Sequence, residues 1–177
     1  MNARRFVCII LGIWLGASLF MTFVAVMNFR MVSEVLANPQ QELASYIKIL
    51  GPDRMRMLFR HEAAEVNRAL FNYWGFAQVG FSVLTFGLLL FATKEGKAVL
   101  GTSLALILIV CILQFVVTPG IIGYGRGLDF LPADAELALR KRVGALHTTY
   151  SSLEVVKLLG MIGLMVVFLR ERPLRKP

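Results

Sequence analysis

Glu154 and Lys157 are the residues of this sequence best placed to do chemistry, because they are charged and lie within a long apolar segment. Charged side chains inside a membrane are costly, so they mark ion or proton paths or pair with one another. A spacing of three residues places both on one face of a helix, where opposite charges pair. Two interpretations stay open: a pair that handles a transported charge, and a pair that only holds helices together.

Three uncharged polar residues lie in other apolar segments at a similar depth. At about 1.5 Å per helical residue, counted from the nearest basic cluster, they and Glu154 fall roughly 24–26 Å along their helices. We therefore predict one lateral polar cluster, in which interhelical hydrogen bonding is the favoured role of the amides and the hydroxyl. Its members are Thr22, Gln78, Gln114, Glu154 and Lys157.

His61 and His147 are predicted to lie near one boundary of the apolar region, on different helices. Two such histidines could bind a haem, a chlorophyll-type pigment or a metal. Hydrogen-bonded interfacial histidines are the favoured interpretation, because the sequence has no C-x-x-C pattern and no carboxylate at ligand spacing. Cys8 and Cys111 are interpreted as small buried hydrophobic residues. The sequence therefore predicts no metal site and leaves any cofactor open.

No combination of residues in this sequence is typical of an enzyme. The glycines between Gly123 and Gly127 follow an apolar helix rather than a strand, so a flexible turn is favoured over a phosphate loop. Ser151 and His147 are four residues apart, but no oxyanion-hole element accompanies them. We therefore expect a protein without catalytic activity.

Composition indicates an integral membrane protein. The chain has 177 residues, of which 57% are hydrophobic and 17% charged, and its mean hydropathy is +0.69. Soluble domains carry about 25% charged residues, and a short soluble chain cannot bury this much apolar surface. The net charge of +8 arises largely at the ends of apolar runs rather than in a stripe, which argues against nucleic-acid binding.

Four apolar runs approach the roughly 20 residues that a membrane-spanning helix needs. They are residues 6–27, 70–92, 99–117 and 150–169. We predict an all-α integral membrane fold in which one domain, residues 1–177, forms a four-transmembrane-helix bundle. Because the first run is long and lacks a clear cleavage site, we interpret it as an uncleaved span rather than a signal peptide.

The two longer connections are predicted to be helical extracytoplasmic extensions, residues 30–68 and 118–146. Gly51-Pro52 should break the first extension into two helices. The second should open with a turn at 118–127, and a new helix should start at 133–136 with acidic residues in its first turn.

Basic residues cluster at one end of the four predicted spans. Arg4 and Arg5 precede the first, residues 94–97 join the second and third, and residues 170–176 follow the fourth. Short connections rich in Lys and Arg lie on the cytoplasmic side. Both termini are therefore predicted to be cytoplasmic.

Glycines recur at helical spacing in the first and fourth spans. Gly12 and Gly16 form a G-x-x-x-G pattern, and Gly160 and Gly163 play a similar part in the last helix. Small residues let helices approach closely, either within the bundle or against a partner chain.

Several short motifs fall within residues 14–30, residues 67–74, Pro119 and residues 146–152. Together they resemble the family of human transmembrane protein 205 and its bacterial relatives. The resemblance implies a four-helix membrane domain, with reported links to metal or drug resistance and with no agreed activity. It also draws attention to His147. The chain departs from the family pattern at Glu154 and Lys157.

These observations favour a non-enzymatic accessory or scaffolding subunit of a larger respiratory or photosynthetic complex, in a bacterial inner membrane. The expected partners are the lipid bilayer and other membrane subunits or a second copy of the chain. One alternative is a small transporter or a metal- or drug-resistance protein that uses Glu154 and Lys157. Another is a haem- or pigment-binding subunit that uses His61 or His147.

Overall fold

The computed structural model describes residues 3–131 and 135–170, and every regular element in these ranges is helical. A single π-helical turn, Leu113–Val117, joins the fourth helix to the fifth. The helices are α1 (Ala3–Ala37), α2 (Gln41–Leu50), α3 (Pro52–Ala92), α4 (Lys97–Ile112), α5 (Thr118–Arg126) and α6 (Leu137–Leu169).

The all-α fold class predicted from the sequence is confirmed, with four helices long and apolar enough to cross a membrane. These are α1, α3, the continuous run Lys97–Arg126 and α6. Each predicted apolar run lies inside one of them. The chain breaks where its local chemistry requires a break: Gly51 has a φ of 85°, which favours glycine, and Pro52 occupies the first turn of α3.

The glycine-rich stretch after Thr118 is not the flexible turn predicted from the sequence. It forms α5, which continues the third span to Arg126. Proline inside a helix cannot donate a backbone hydrogen bond, and its ring crowds the preceding turn. The wider π turn just before Pro119 changes the hydrogen-bonding register there, which lets the helix pass through the proline.

The start of the last helix also differs from the prediction. Helix α6 begins at Leu137 and has no acidic residue in its first turn. Glu136 immediately precedes α6 with a φ of 52°, a left-handed conformation that is incompatible with a right-handed α-helix at that residue. Residues 132–134, where the predicted start partly falls, lie outside the described residues.

The bundle core lies between the spans, near the end where the chain makes its short 93–96 turn. Its largest fully buried side chain is that of Trp14. Around it pack apolar side chains from all four spans, whereas many others, such as Phe91 at 86% exposure, point outward as lipid-facing residues do. The buried core residues are Val7, Leu11, Trp14, Leu89, Leu106, Val110, Met161, Leu164 and Phe168.

The helices are longer than a bilayer core is thick. Helix α3 has 41 residues, which corresponds to about 61 Å, whereas a bilayer core measures about 30 Å. The end that contains the 93–96 turn, here called the short-turn end, is joined by an Arg4–Glu95 ion pair of 2.9 Å. The opposite end, here called the head, comprises residues 28–68, 120–131 and 135–149.

Candidate functional site

Lys157 is the centre of a polar cluster inside the bundle. Its side chain, on α6, is 0% exposed, and its Nζ lies 2.5 Å from the carboxylate of Glu154 on the same helix. It also donates hydrogen bonds to Gln78 Oε1 on α3 and, at 3.4 Å, to Ser18 Oγ on α1. One ammonium group therefore connects three helices.

Trp14 completes this arrangement from α1. Its Nε1 donates a hydrogen bond of 3.3 Å to Gln78 Oε1, and the Lys157 ammonium lies 5.7 Å from the centre of its ring. That separation is within the range of a cation–π interaction. We call Trp14, Ser18, Gln78, Glu154 and Lys157 the buried polar cluster.

The cluster provides hydrogen-bond partners for the buried charge of Lys157, which would otherwise destabilise the fold. An ammonium has three protons to donate, and Lys157 has three partners in Glu154, Gln78 and Ser18. Moving an ion out of water costs several kcal/mol, which is offset only by close pairing and additional hydrogen bonds. Glu154 remains 17% exposed. The ion pair can therefore serve to hold the helices together. Alternatively, it can take part in moving a charge, because the Glu154 carboxylate remains partly accessible.

The structure unites three of the five residues predicted to cluster, namely Gln78, Glu154 and Lys157. Thr22 is exposed and donates a 3.1 Å hydrogen bond to the carbonyl oxygen of Ser18 on its own helix. Trp14 and Ser18 were not predicted to belong to the cluster, although their i,i+4 spacing places both on the same face of α1. That spacing was the available signal, but tryptophan and serine are common in membrane helices for other reasons.

Gln114 belongs to a separate contact, nearer the head. It lies in the π turn, and its Nε2 donates hydrogen bonds to the side-chain and backbone oxygens of Asn72, at 3.2 and 3.4 Å. A Cβ on Gly75 would stand 2.6 Å from Gln114 Cδ, so only glycine leaves room for this side chain. The sequence did not single out Gly75, because its role depends on the neighbouring helix.

A second cluster of charged residues lies in the head. The Arg68 guanidinium donates to both carboxylate oxygens of Asp129, at 2.7 and 2.6 Å, which is the strong two-bond geometry. Arg68 also pairs with Glu65 at 2.7 Å, and Arg126 pairs with the same carboxylate at 2.9 Å. His61 Nδ1 lies 2.9 Å from Asp129. These five residues form the head charge cluster, which connects α3 to α5 and the segment after it.

The charge balance of the head charge cluster affects the ionisation of Asp129. Burial acts to raise the pKa of Asp129, but hydrogen bonds from Arg68 and His61 outweigh burial, so the pKa lies below its ordinary value. The carboxylate is therefore held in its charged form, paired with Arg68.

Three residues of the head charge cluster also offer potential metal ligands. Ligand atoms of His61, Glu65 and Asp129 lie within 4.8 Å of one another. However, both carboxylates already pair with Arg68, and a guanidinium at that distance repels a cation strongly. The arrangement therefore favours an arginine-centred tie between α3 and the 127–131 segment.

The two histidines singled out from the sequence have different surroundings. His61 bonds to Asp129 and its ring lies 4.7 Å, centre to centre, from the ring of Phe130. His147 is exposed on α6.

The four glycines singled out from the sequence divide into contact and open positions. A Cβ on Gly160 would lie 3.0 Å from Leu106, so this glycine allows α6 to approach α4 closely. Gly12 faces Met165 at 3.9 Å, an ordinary contact distance. A Cβ on Gly16 or Gly163 would meet no atom of another helix within 4 Å. The latter two therefore leave open positions on the outer surface of the bundle.

Comparison of the chain with protein-family models, with curated proteins and with solved structures gave no significant match. The resemblance to the transmembrane protein 205 family therefore stays a prediction from short motifs.

Proposed function

We propose that this chain is a non-enzymatic, multi-pass protein of a bacterial inner membrane that works by associating with other membrane proteins, as an accessory or scaffolding subunit of a larger complex. Both termini lie in the cytoplasm in this proposal, and the head lies on the opposite side. The observation that carries the proposal is a set of large apolar side chains exposed on the head.

These head residues lie beyond the reach of the lipid core. Leu58 lies 34 residues before Ala92, the last residue of α3, or about 51 Å away at 1.5 Å per residue, against a core of about 30 Å. Apolar patches exposed to water are typical of interaction sites. The exposed side chains include Phe29 (40%), Met31 (47%), Tyr46 (58%), Ile49 (77%), Leu58 (45%) and Val66 (49%).

The interior of the bundle supports the same proposal. Lys157 is fully enclosed and paired, which is the geometry of a fixed structural tie. Outside the bundle, Gly16 and Gly163 leave open positions along two spans, where another helix could approach closely.

The test is extraction of the natively expressed, tagged protein in a gentle detergent, followed by native electrophoresis and mass spectrometry. We expect a stoichiometric larger complex that is lost in Ile49→Glu, because a charge is introduced into the exposed apolar surface of α2. Gln41→Glu, on the same helix, adds the same charge at an exposed polar position and serves as the control. Migration of the wild-type protein as a monomer in every gentle detergent would overturn the proposal.

A second candidate function is favoured by one observation, the 17% exposure of Glu154 beside a fully buried Lys157. A partly accessible carboxylate in an ion pair could take part in transport or in metal or drug resistance. In this case, the double variant Glu154→Gln/Lys157→Met folds but loses the transport or resistance phenotype. A double variant that retains the phenotype would assign the pair to structure alone.

A further inference from the structure

A cleft opens in the head between the last turns of α1 and the first turns of α3. Its volume is about 320 Å³, which is near the lower end of the range of small-molecule sites, roughly 300–1,000 Å³. Its walls are Phe29, Val32, Ser33, Leu36, Ala37, Arg56 and Arg60.

One wall of this cleft is positively charged. Arg56 and Arg60 are one helical turn apart, so their side chains lie on the same face of α3. Neither forms an ion pair with a carboxylate anywhere in residues 3–131 or 135–170, whereas Arg30 and Arg68 both do. The Arg60 guanidinium instead lies 5.9 Å from the centre of the Phe29 ring.

The opposite wall, on α1, is largely apolar. It consists of Phe29, Val32, Leu36 and Ala37, and the hydroxyl of Ser33 is its one polar side chain. An inorganic anion would contact only the arginines, whereas an uncharged apolar molecule would contact only the α1 wall. The two walls together match a molecule that carries a negative group at one end and a hydrocarbon chain at the other.

The height of the cleft above the bilayer limits which class of amphiphile can reach it. Arg60 lies 32 residues before Ala92, the last residue of α3, or about 48 Å away, so it stands roughly 18 Å beyond a bilayer core of about 30 Å. A two-chain phospholipid anchored in the bilayer does not reach that height. A single-chain molecule, which exchanges readily with water, does.

We propose that this cleft binds a single-chain anionic amphiphile of the fatty-acid class, with its carboxylate between Arg56 and Arg60 and its alkyl chain against the α1 wall. This binding site goes beyond the scaffolding function and does not depend on it.

The test uses the full-length protein in phosphatidylcholine nanodiscs and equilibrium dialysis of radiolabelled decanoate, with empty nanodiscs as the blank. We expect saturable binding at one site per chain. Decanol lacks the charge and acetate lacks the chain, so both should bind about tenfold more weakly or worse. Decanol binding as tight as decanoate, phosphate competing as well as decanoate, or uptake that never saturates would each overturn the proposal.

Two variants assign the binding to this cleft. Arg56→Gln/Arg60→Gln should weaken decanoate binding by about tenfold or more, whereas Arg54→Gln, in the same turn but outside the cleft, should not change it. Ala37→Phe fills the cleft without altering charge and should also abolish binding, which covers the case in which the double variant does not fold. Unchanged decanoate binding in folded Ala37→Phe or folded double variant would place the ligand elsewhere.

Discussion

At the scale of the residue, the buried ammonium of Lys157 has the largest consequences for the bundle. It is 0% exposed and bonded to groups from α1, α3 and α6. A charge in such surroundings stabilises the fold only while all of its partners are present. The effects of substitution should therefore depend strongly on which member of the pair is removed.

We predict that Glu154→Gln destabilises the protein by about 3–5 kcal/mol, because it leaves a fully buried charge without its counter-ion. Lys157→Met should cost less, since Glu154 is 17% exposed and can turn toward polar surroundings. The double variant should lie close to the wild type. Unfolding by SDS in mixed micelles, followed by circular dichroism, measures all three.

Lys141→Met, on an exposed part of α6, is the control for loss of a lysine. A double variant as unstable as Glu154→Gln would show that the ion pair does not act as a unit.

Gly75→Ala should destabilise the protein by about 1–3 kcal/mol, because the added methyl group overlaps Gln114 and the contact must open. Gly80→Ala is the matched control, since no atom lies within 4 Å of its Cβ position and alanine favours helices. Combining Gly75→Ala with Gln114→Ala should restore most of the lost stability. The same SDS unfolding assay measures the stability of each variant. Equal destabilisation by Gly75→Ala and Gly80→Ala would show that Gly75 is not needed for the contact with Gln114.

At the scale of the element, a buried arginine contact joins α3 to the segment that follows α5. Arg68 on α3 forms an ion pair with Asp129, which follows α5. Both side chains are about nine-tenths buried, at 10% and 9% exposure. Removing one partner of a pair this well enclosed leaves the other charge buried and unpaired, which costs more than the roughly 0–1 kcal/mol of a surface ion pair.

Arg68→Gln should therefore release the 127–131 segment from α3. We expect faster amide hydrogen exchange there, measured by mass spectrometry, with little change at the short-turn end. Arg126→Gln is the control, because Arg126 is 60% exposed and, among the described residues, pairs only with Glu65. Equal protection of 127–131 in Arg68→Gln and the wild type would contradict this prediction.

The same tie should weaken in acid. Because the pKa of Asp129 is lowered in the folded protein, its contribution is present above the ordinary carboxyl pKa of about 4 and is lost as the pH falls through the lowered value. Hydrogen exchange of 127–131 should therefore rise below about pH 4 relative to the short-turn end. Asp129→Asn should remove this acid-dependent rise in exchange. If the rise persists in Asp129→Asn, a different titrating group is responsible for it.

At the scale of the whole molecule, the proposed topology places the outer parts of the helices well beyond a bilayer core on one side. The short-turn end has only brief connections, whereas the head contains α2, α5 and the outer ends of three spans. This asymmetry is what allows a membrane bundle of 177 residues to present a structured surface to water. The proposed partner and the proposed amphiphile would both use that surface.

The orientation is tested by labelling single cysteines in a Cys8→Ser/Cys111→Ser background. A membrane-impermeant maleimide added to intact cells should label Ser45→Cys, on the head, and not Gly96→Cys, at the short-turn end, because short basic connections face the cytoplasm. Labelling of both after cell lysis is the control for accessibility. The reverse pattern in intact cells would invert the proposed topology.

Much of the fold follows from local properties of the sequence. The four spans could be predicted because a membrane helix needs a continuous apolar run, whose length is visible in the order of the residues. The break at Gly51-Pro52 could also be predicted, because it depends on the conformational preferences of these two neighbouring residues. Passage of the third span through Pro119 was missed, since it depends on a π turn that no residue type signals.

The membership of the polar clusters was decided only by the tertiary structure. Depth along a helix can be counted from the sequence, so Gln78, Glu154 and Lys157 were expected together. Rotation about the helix axis and the choice of neighbouring helix cannot be counted in this way. They turn Ser18 inward and Thr22 outward, and they bring Asp129 to Arg68, which lies 61 residues earlier in the chain.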